Sequence, residues 1–284
     1  MEIPEMYRDR LRKTLKQNNE LFARSSTDCG FSEKFAVRLI PKSEQDKHPR
    51  FARPYKMNSE VAELLDKKIQ EMINSDILEE TCSPYSSPCM VIRKKDGGIR
   101  LVNNYSTKEG VNTKLMITRV PVISTRLLLA KVAATISRQR CRYPKSKILF
   151  CSLDLRSAYY ALAICKSDRA ITAFIANWRQ IAYQRLSMGL SAAPSIFLKY
   201  MAIHFSGIKS QKYAVEIYMD DLLLYGPEEF LEEAIEHVFD RVRKSRMTIS
   251  LSKSEFFQEK LIFLGYELSE SGIKAPAQKV DQLL

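Results

Sequence analysis

Two adjacent aspartates near the C-terminal end of the chain stand between two short apolar runs. Asp220 and Asp221 follow residues 214–217 and precede residues 222–225. Runs of this kind predict two strands joined by a tight turn, so we expect the acids at the tip of a β-hairpin. Carboxylates on rigid strands suit a divalent-metal site for phosphoryl transfer, because hard cations need oxygen ligands in a fixed geometry. Adjacent aspartates are also common in solvated turns, so the pair alone leaves both interpretations open.

A third acid, Asp154, ends an apolar run at residues 148–153. This run predicts a buried strand with a carboxylate at its C-terminal end. Burying such a group costs free energy unless it is paired, hydrogen-bonded or bound to a metal. If this strand lies beside the hairpin in one antiparallel sheet, Asp154 and Asp220 come within reach of the same two cations. An exposed aspartate at a strand end is the alternative.

Charge and composition limit the function classes. The formal net charge of +12 favours an anionic partner, most commonly nucleic acid, although some basic proteins bind nothing acidic. The six cysteines form no C-x-x-C pair, which argues against zinc and for a reducing, intracellular compartment. No apolar stretch reaches the ~18 residues of a membrane span, so we expect no membrane partner. A basic stretch at residues 138–147 is interpreted as a solvated insertion loop, with contact to a nucleic-acid backbone as the alternative.

Several short motifs follow one another between about residue 50 and the C-terminus. The motifs are Ser86-Ser87-Pro88, Val91-Ile92-Arg93-Lys94-Lys95-Asp96-Gly97, Arg100, Leu153-Asp154-Leu155-Arg156-Ser157-Ala158-Tyr159, Thr172-Ala173-Phe174, Met188-Gly189-Leu190, Ala193-Pro194, Phe197, Tyr218-Met219-Asp220-Asp221 and Phe263-Leu264-Gly265-Tyr266. In this order the chain resembles the reverse transcriptases of gypsy-type LTR retrotransposons and retroviruses. Each motif alone is weak, and their order makes the resemblance specific.

The resemblance implies an α+β fold, namely the fingers and palm of a right-hand polymerase. An antiparallel palm sheet would pack on helices, with the thumb absent or truncated. We expect an N-terminal arm at 1–55, which begins with a basic helix and has no predicted chemistry, and a reverse-transcriptase-like domain at 56–284. Within that domain the expected fingers are about 56–125 and 166–195, and the expected palm is about 126–165 and 196–270.

The resemblance also implies a reaction and its ligands. The chain would be an RNA- and DNA-directed DNA polymerase that uses a primed RNA or DNA template and dNTPs. Asp154 and Asp220 would bridge two Mg²⁺ ions, with Mn²⁺ possible, and Asp221 would support the site. A cytoplasmic retroelement particle is the expected location, with the nucleus possible, and the oligomeric state stays open.

Further site residues are carried over from the family by position. Lys94 and Arg100 would contact the triphosphate from a fingers hairpin, although lysines also protect an edge hairpin from aggregation. Tyr159 would exclude a 2′-hydroxyl as a steric gate, with a core tyrosine as the alternative. The implied nucleotide-binding residues are Lys94, Arg100, Leu155, Tyr159, Met188 and Met219, and the implied primer grip is Leu264 and Gly265.

The chain departs from the family pattern in two places. Ser187-Met188 stands where gypsy-type relatives usually have Pro-Phe and retroviral ones Pro-Gln, which bears on the shape of the nucleotide pocket. Asn104 and Ser106 stand where relatives carry an acid and an arginine near the template. A truncated or repurposed reverse-transcriptase-like module that binds nucleic acid without catalysis is therefore one alternative. A metal-dependent nuclease that uses the same three acids is another.

Overall fold

The computed structural model describes residues 5–47, 51–93, 98–107, 110–117, 120–208 and 210–275. The chain divides into two compact units, each built from segments that are separate in the sequence. The first unit contains residues 1–24, 121–156 and 201–284, and the second contains residues 25–120 and 157–200. The predicted division into arm, fingers and palm stays a prediction.

The described residues contain six α-helices. They are α1 (Glu5–Gln17), α2 (Ser59–Asn74), α3 (Val111–Lys114), α4 (Thr125–Arg142), α5 (Ala193–Phe205) and α6 (Leu231–Ser245). The sequence offers Asn58 or Ser59 as the N-cap of α2, and Asn58 takes this role, because its Oδ1 accepts a hydrogen bond from the Val61 amide at 2.9 Å. In the part of the chain that is described, no helix combines the length and the apolarity needed to cross a bilayer.

Two antiparallel sheets form the framework of the first unit. The central sheet has the order β11-β5-β10-β9, and the second sheet has the order β12-β13-β14. Their strands are β5 (Ile148–Asp154), β9 (Ala214–Tyr218), β10 (Asp221–Pro227), β11 (Glu255–Gln258), β12 (Lys260–Phe263), β13 (Tyr266–Ser269) and β14 (Gly272–Lys274).

The central sheet is buried on both faces, which explains the continuous apolar runs of β5 and β10. On β10, Leu223 and Tyr225 pack with α4 residues such as Val132 in one core cluster. Their neighbours Leu222 and Leu224 point to the opposite face and are also fully buried. Helix α6 packs against β10. This double burial holds the end of the β5–β10 pair on a rigid support.

The second unit contains three small sheets. The strands are β1 (Ser32–Val37), β2 (Leu78–Glu80), β3 (Cys89–Arg93), β4 (Ile99–Asn103), β6 (Leu162–Ile164), β7 (Phe174–Ala176) and β8 (Arg179–Tyr183). The sheets are β2-β8-β7, the hairpin β3-β4 and the parallel pair β1-β6. The predicted hairpin after Cys89 is thus confirmed, although residues 94–97 at its tip lie outside the described residues.

Two local predictions were wrong. The basic stretch at 138–147 is not an insertion loop throughout, because α4 continues to Arg142 and buries Gln139. Arginine and glutamine are good helix formers, so their polarity does not indicate a loop. The sequence from 170 to 176 predicts a strand, but residues 166–172 form a 3₁₀-helix and β7 begins only at Phe174.

Candidate active site

The acidic hairpin consists of β9, a two-residue turn and β10. Asp221 pairs with Tyr218, which leaves Met219 and Asp220 as the turn. Met219 has a φ of 56°, a left-handed conformation that is unfavourable for a residue with a Cβ atom. Asp220 is therefore at the tip, as expected, whereas Asp221 is the first residue of β10. Backbone strain of this kind is concentrated at functional sites.

Asp154 lies beside this hairpin. Strand β5 pairs with β10, and Asp154 is directly opposite Asp221. The backbone amide of Leu155, the residue after Asp154, donates a hydrogen bond of 3.1 Å to the Asp220 carbonyl oxygen. Directly opposite residues of an antiparallel pair project from the same face. The three acids therefore meet at one end of the two central strands, with Asp221 rather than Asp220 as the cross-strand partner of Asp154.

A loop after α6 encloses the end of β5. The Ser250 amide donates to the Asp154 carbonyl at 2.8 Å, and the Asp154 amide donates to Ser254 Oγ at 3.2 Å. Lys253 Nζ lies 3.3 Å from Asp154 Oδ2. The amide and the carbonyl of Asp154 thus both form hydrogen bonds. Its carboxylate also has a cationic partner, Lys253, that the sequence did not predict.

Burial and mutual repulsion shape the ionisation of the acids. Burial raises the pKa of Asp154 above its usual value, the Lys253 ammonium opposes this shift, and the Asp220 carboxylate adds to it. Burial, together with the neighbouring Asp220 and Asp154 carboxylates, raises the pKa of Asp221 to about 6. The cluster therefore concentrates negative charge that Lys253 and Arg156 partly balance, and a cation bound there would be favoured.

The donor set fits a hard divalent cation. Among the residues that the structure describes, no three His, Cys, Asp or Glu side chains are arranged to hold a single ion. Mg²⁺ does not require such a cage, because it is commonly bound by one or two carboxylates together with substrate phosphates and water. The pair of facing carboxylates on a rigid sheet, with Asp220 beside them, meets that requirement.

The second unit holds several of the other predicted residues. Tyr159 stacks on Phe197, with ring centroids 4.7 Å apart and an angle of 21° between the planes. Arg100 is exposed on β4. Met188 is partly buried and precedes Gly189, which has a φ of 94°. Lys94 lies outside the described residues.

Three other predicted residues belong to the first unit. Leu155 is 1% exposed and contributes its backbone amide to the site, as described above. In the second sheet, Leu264 and Gly265 form the two-residue turn between β12 and β13. Their φ values of 52° and 75° indicate a type I′ turn, in which the left-handed conformation is easier for glycine than for leucine.

Asn104 and Ser106, which depart from the family pattern, serve the local structure. Asn104 Oδ1 accepts a hydrogen bond from the Ser106 amide at 3.1 Å, and Asn104 Nδ2 donates to the Tyr55 hydroxyl at 2.9 Å. Ser106 Oγ accepts from Asn112 Nδ2 at 2.9 Å. The two residues close a turn after β4, so their side chains have a structural use in this chain.

The comparisons with known proteins agree on one family. The family model described as "Reverse transcriptase (RNA-dependent DNA polymerase)" matches residues 92–268. The chain is 27% identical to the retrovirus-related Pol polyprotein from transposon 412 and 25% identical to that from transposon gypsy, both of Drosophila melanogaster, over 98% of its length. It is 26% identical to the transposon Tf2-3 polyprotein of Schizosaccharomyces pombe over 100% of its length. The chain spans only 22%, 26% and 19% of these three relatives.

Solved structures show the same fold. A foamy viral protease–reverse transcriptase in complex with RNA/DNA hybrid superposes with a TM-score of 0.82 and 19% identity, over 99% of this chain and 35% of the other. A second structure of that protein, with double-stranded DNA, gives 0.82 and 20% identity, over 99% and 46%. The fold is therefore that of a reverse transcriptase, and the predicted α+β class is confirmed.

The family model covers more than half of the chain, which therefore belongs to the reverse transcriptase (RNA-dependent DNA polymerase) family. Within the family it resembles the Pol polyproteins of retrotransposons, as its motifs indicated.

Proposed function

We propose that the chain is the polymerase core of a retroelement and transfers nucleotides from dNTPs to a primer 3′-hydroxyl on an RNA or DNA template. The observation that carries this proposal is the position of Asp154 directly opposite Asp221, with Asp220 in the adjoining turn. Three carboxylates at the end of a doubly buried sheet form a fixed, anionic site, as phosphoryl transfer with hard cations requires.

Asp154 and Asp220 would hold two divalent cations, Mg²⁺ or Mn²⁺, and Asp221 would support them. When bound, such ions lower the pKa of an attacking hydroxyl and neutralise a triphosphate and its leaving group. The chain itself supplies rigidity: the Leu155–Asp220 backbone hydrogen bond and the hydrogen bonds from Ser250 and to Ser254 keep the carboxylates in place. Catalysis would then consist of positioning and charge compensation.

Lys253 has a defined role in this proposal. Its ammonium pairs with Asp154 and lowers the pKa of that carboxyl, which keeps Asp154 available as an anionic ligand. A cation that binds Asp154 competes with Lys253 for the same oxygen. Because the Lys253 side chain is 61% exposed, it can turn away without loss of buried contacts.

The remaining residues would position the substrates. Arg100 and Lys94 would contact the triphosphate, and Tyr159, supported by Phe197, would exclude ribonucleotides. Leu155, Met188 and Met219 would line the nucleotide site, and Leu264 and Gly265 would approach the primer end. The expected ligands are a primed RNA or DNA template and dNTPs, and a cytoplasmic retroelement particle is the proposed location.

Primer extension on poly(rA)/oligo(dT) with Mg²⁺ or Mn²⁺ tests the proposal. We expect Asp154→Asn and Asp220→Asn to abolish dTTP incorporation, whereas Asp9→Asn, the same change at an exposed position on α1, retains it. Retained binding without incorporation by the wild-type chain would favour the non-catalytic module. Template degradation without incorporation would favour the nuclease.

A further inference from the structure

Helix α1 is attached to α6 through one of its faces. Thr14 Oγ1 donates to Glu232 Oε1, and Asn18 Nδ2 donates to Glu236 Oε1, each at 3.4 Å. The donors are a hydroxyl on α1 and an amide directly after it, and the acceptors are two carboxylates on α6. These contacts fix the rotation of α1 about its axis. The side chains on the opposite face of α1 therefore point away from α6.

The other side of α1 carries a row of cations. Arg8, Arg12 and Lys16 recur every four residues and line a groove of about 620 Å³. Successive members are therefore about 6 Å apart along the helix. The remaining lining residues are Asn19 and apolar side chains, without a carboxylate. The charge of this groove accordingly favours an anionic ligand with charges that recur at short intervals.

The floor of the groove is apolar but mostly closed to solvent. Leu11 is 3% exposed and Phe22 is 8% exposed, while Leu251 at the margin is 37% exposed. Among the apolar lining residues only Leu15, which is partly buried, and Leu251 at the margin are open to solvent, so the accessible apolar surface that an amphipathic peptide helix would need is small. The cations Arg8, Arg12 and Lys16 are all exposed, and a row of exposed cations suits a sugar-phosphate backbone.

The groove borders the loop that holds the acid cluster. Leu251 belongs to the 3₁₀-turn Leu251–Lys253, and Lys253 contacts Asp154. We infer that this groove, here called the α1 groove, binds the backbone of a single strand of nucleic acid. The inference rests on the proposed function for the class of ligand, and it adds a contact region that the catalytic residues do not include.

The test measures binding of a fluorescein-labelled 20-nucleotide oligodeoxythymidine by anisotropy over a series of NaCl concentrations. Arg12→Ala and Lys16→Ala are each expected to weaken binding roughly three- to tenfold at low salt and to reduce the log–log salt slope by about one. Lys13→Ala is the matched control, because Lys13 is an exposed cation on the same helix that does not line the groove. It should change affinity less than about twofold.

Any of three results would overturn the inference. If Lys13→Ala weakens binding as much as Arg12→Ala, or if the salt slope of Arg12→Ala equals that of the wild type, the effect is one of total charge only. If labelled polyglutamate binds as tightly as the oligonucleotide at equal salt, and loses affinity equally in Arg12→Ala, the groove accepts acidic polypeptides instead.

Failure of the proposed function would be visible separately. If the wild-type chain incorporates no dTTP but binds the oligonucleotide with a salt slope that depends on Arg12, the polymerase proposal is contradicted and the α1 groove is supported. If the wild-type chain incorporates dTTP and the Arg12→Ala and Lys16→Ala variants bind the oligonucleotide as tightly as the wild type, the polymerase proposal is supported and the α1 groove is contradicted.

Discussion

Lys253 and Asp154 form an ion pair at the end of the central sheet, with 3.3 Å between Nζ and Oδ2. The lysine comes from the loop after α6, about 100 residues downstream of its partner. It supplies the positive charge that the facing carboxylates require in the absence of bound cations. The acid cluster is therefore coupled to a loop whose sequence gave no indication of a role in the site.

Removal of this cation should change the pH dependence of the reaction. Lys253→Ala is expected to raise the pKa of Asp154 further, so the acidic limb of the pH–rate profile moves to higher pH. The loss of stability should stay below about 1 kcal/mol, since Lys253 is largely exposed. Lys260→Ala, an exposed lysine on β12, is the control. An acidic limb that moves in neither variant would contradict the assigned role.

The raised pKa of Asp221 gives the metal-free protein a pH-dependent stability. Since its folded-state pKa of about 6 exceeds the usual value of 3.8, the folded state binds the proton more tightly. Stability from this group is present at low pH and is lost as pH rises from about 4 to 6. In EDTA, the Asp221→Asn substitution should therefore be more favourable to the free energy of unfolding at pH 8 than at pH 4, by about 1 to 2 kcal/mol once the shift is discounted for the partial exposure of the carboxyl.

Thermal or urea denaturation at the two pH values measures this difference. Asp9→Asn, at an exposed position on α1, should show no such gain. A stability change in Asp221→Asn that is the same at pH 4 and pH 8 would show that the carboxyl is not destabilised by burial and its neighbours.

The stacked ring of Tyr159 should determine sugar selection. Tyr159→Ala removes the ring that packs on Phe197 and is expected to improve the incorporation of ribonucleotides relative to deoxyribonucleotides by roughly tenfold or more. Tyr159→Phe keeps the ring and should retain discrimination. The ratio of kcat/KM for dTTP and UTP provides the measurement. Equal ratios in Tyr159→Ala and wild type would assign the residue to the core alone.

Gly189 should be intolerant of a side chain. Its φ of 94° disfavours other residues, and a Cβ atom would lie 2.8 Å from the Asn103 carbonyl oxygen. Gly189→Ala is expected to destabilise the protein by about 1 to 3 kcal/mol. Gly207 has a similar φ of 80°, but a Cβ atom there would lie in open space. Gly207→Ala should therefore reduce the free energy of unfolding less than Gly189→Ala. Urea denaturation of both variants measures this difference. Equal losses of unfolding free energy in the two variants would contradict the predicted steric conflict at Gly189.

The sequence predicted the strands of the acid site but not their register. Residues 148–154 and 221–227 are nearly continuous apolar runs, which identify buried strands and place Asp154 at a strand end. A strand buried on both faces has no alternating pattern, so its sequence does not specify which residues face one another. The sequence therefore predicted that Asp154 and Asp220 lie near each other, but it could not specify that Asp221 is directly opposite Asp154.

The contacts that loops and surface helices make could not be predicted from the sequence. Lys253 occurs in an ordinary Ser- and Lys-containing stretch, and only tertiary folding brings it to Asp154. The N-terminal arm was assigned no chemistry, because Arg8, Arg12 and Lys16 resemble a solvated helix face until α6 fixes the orientation of α1. Periodicity shows which residues share a helix face and does not show what lies opposite that face.

Iron-mediated cleavage of the backbone tests the central claim most directly, namely that the acids of β5 and the hairpin hold divalent cations together. Fe²⁺ with ascorbate, in place of Mg²⁺, generates radicals that cut the chain close to the bound ion. We expect cuts near both Asp154 and Asp220, suppressed by excess Mg²⁺ and absent in Asp154→Asn. Cleavage elsewhere only, or cuts near Asp220 that persist unchanged in Asp154→Asn, would contradict the account.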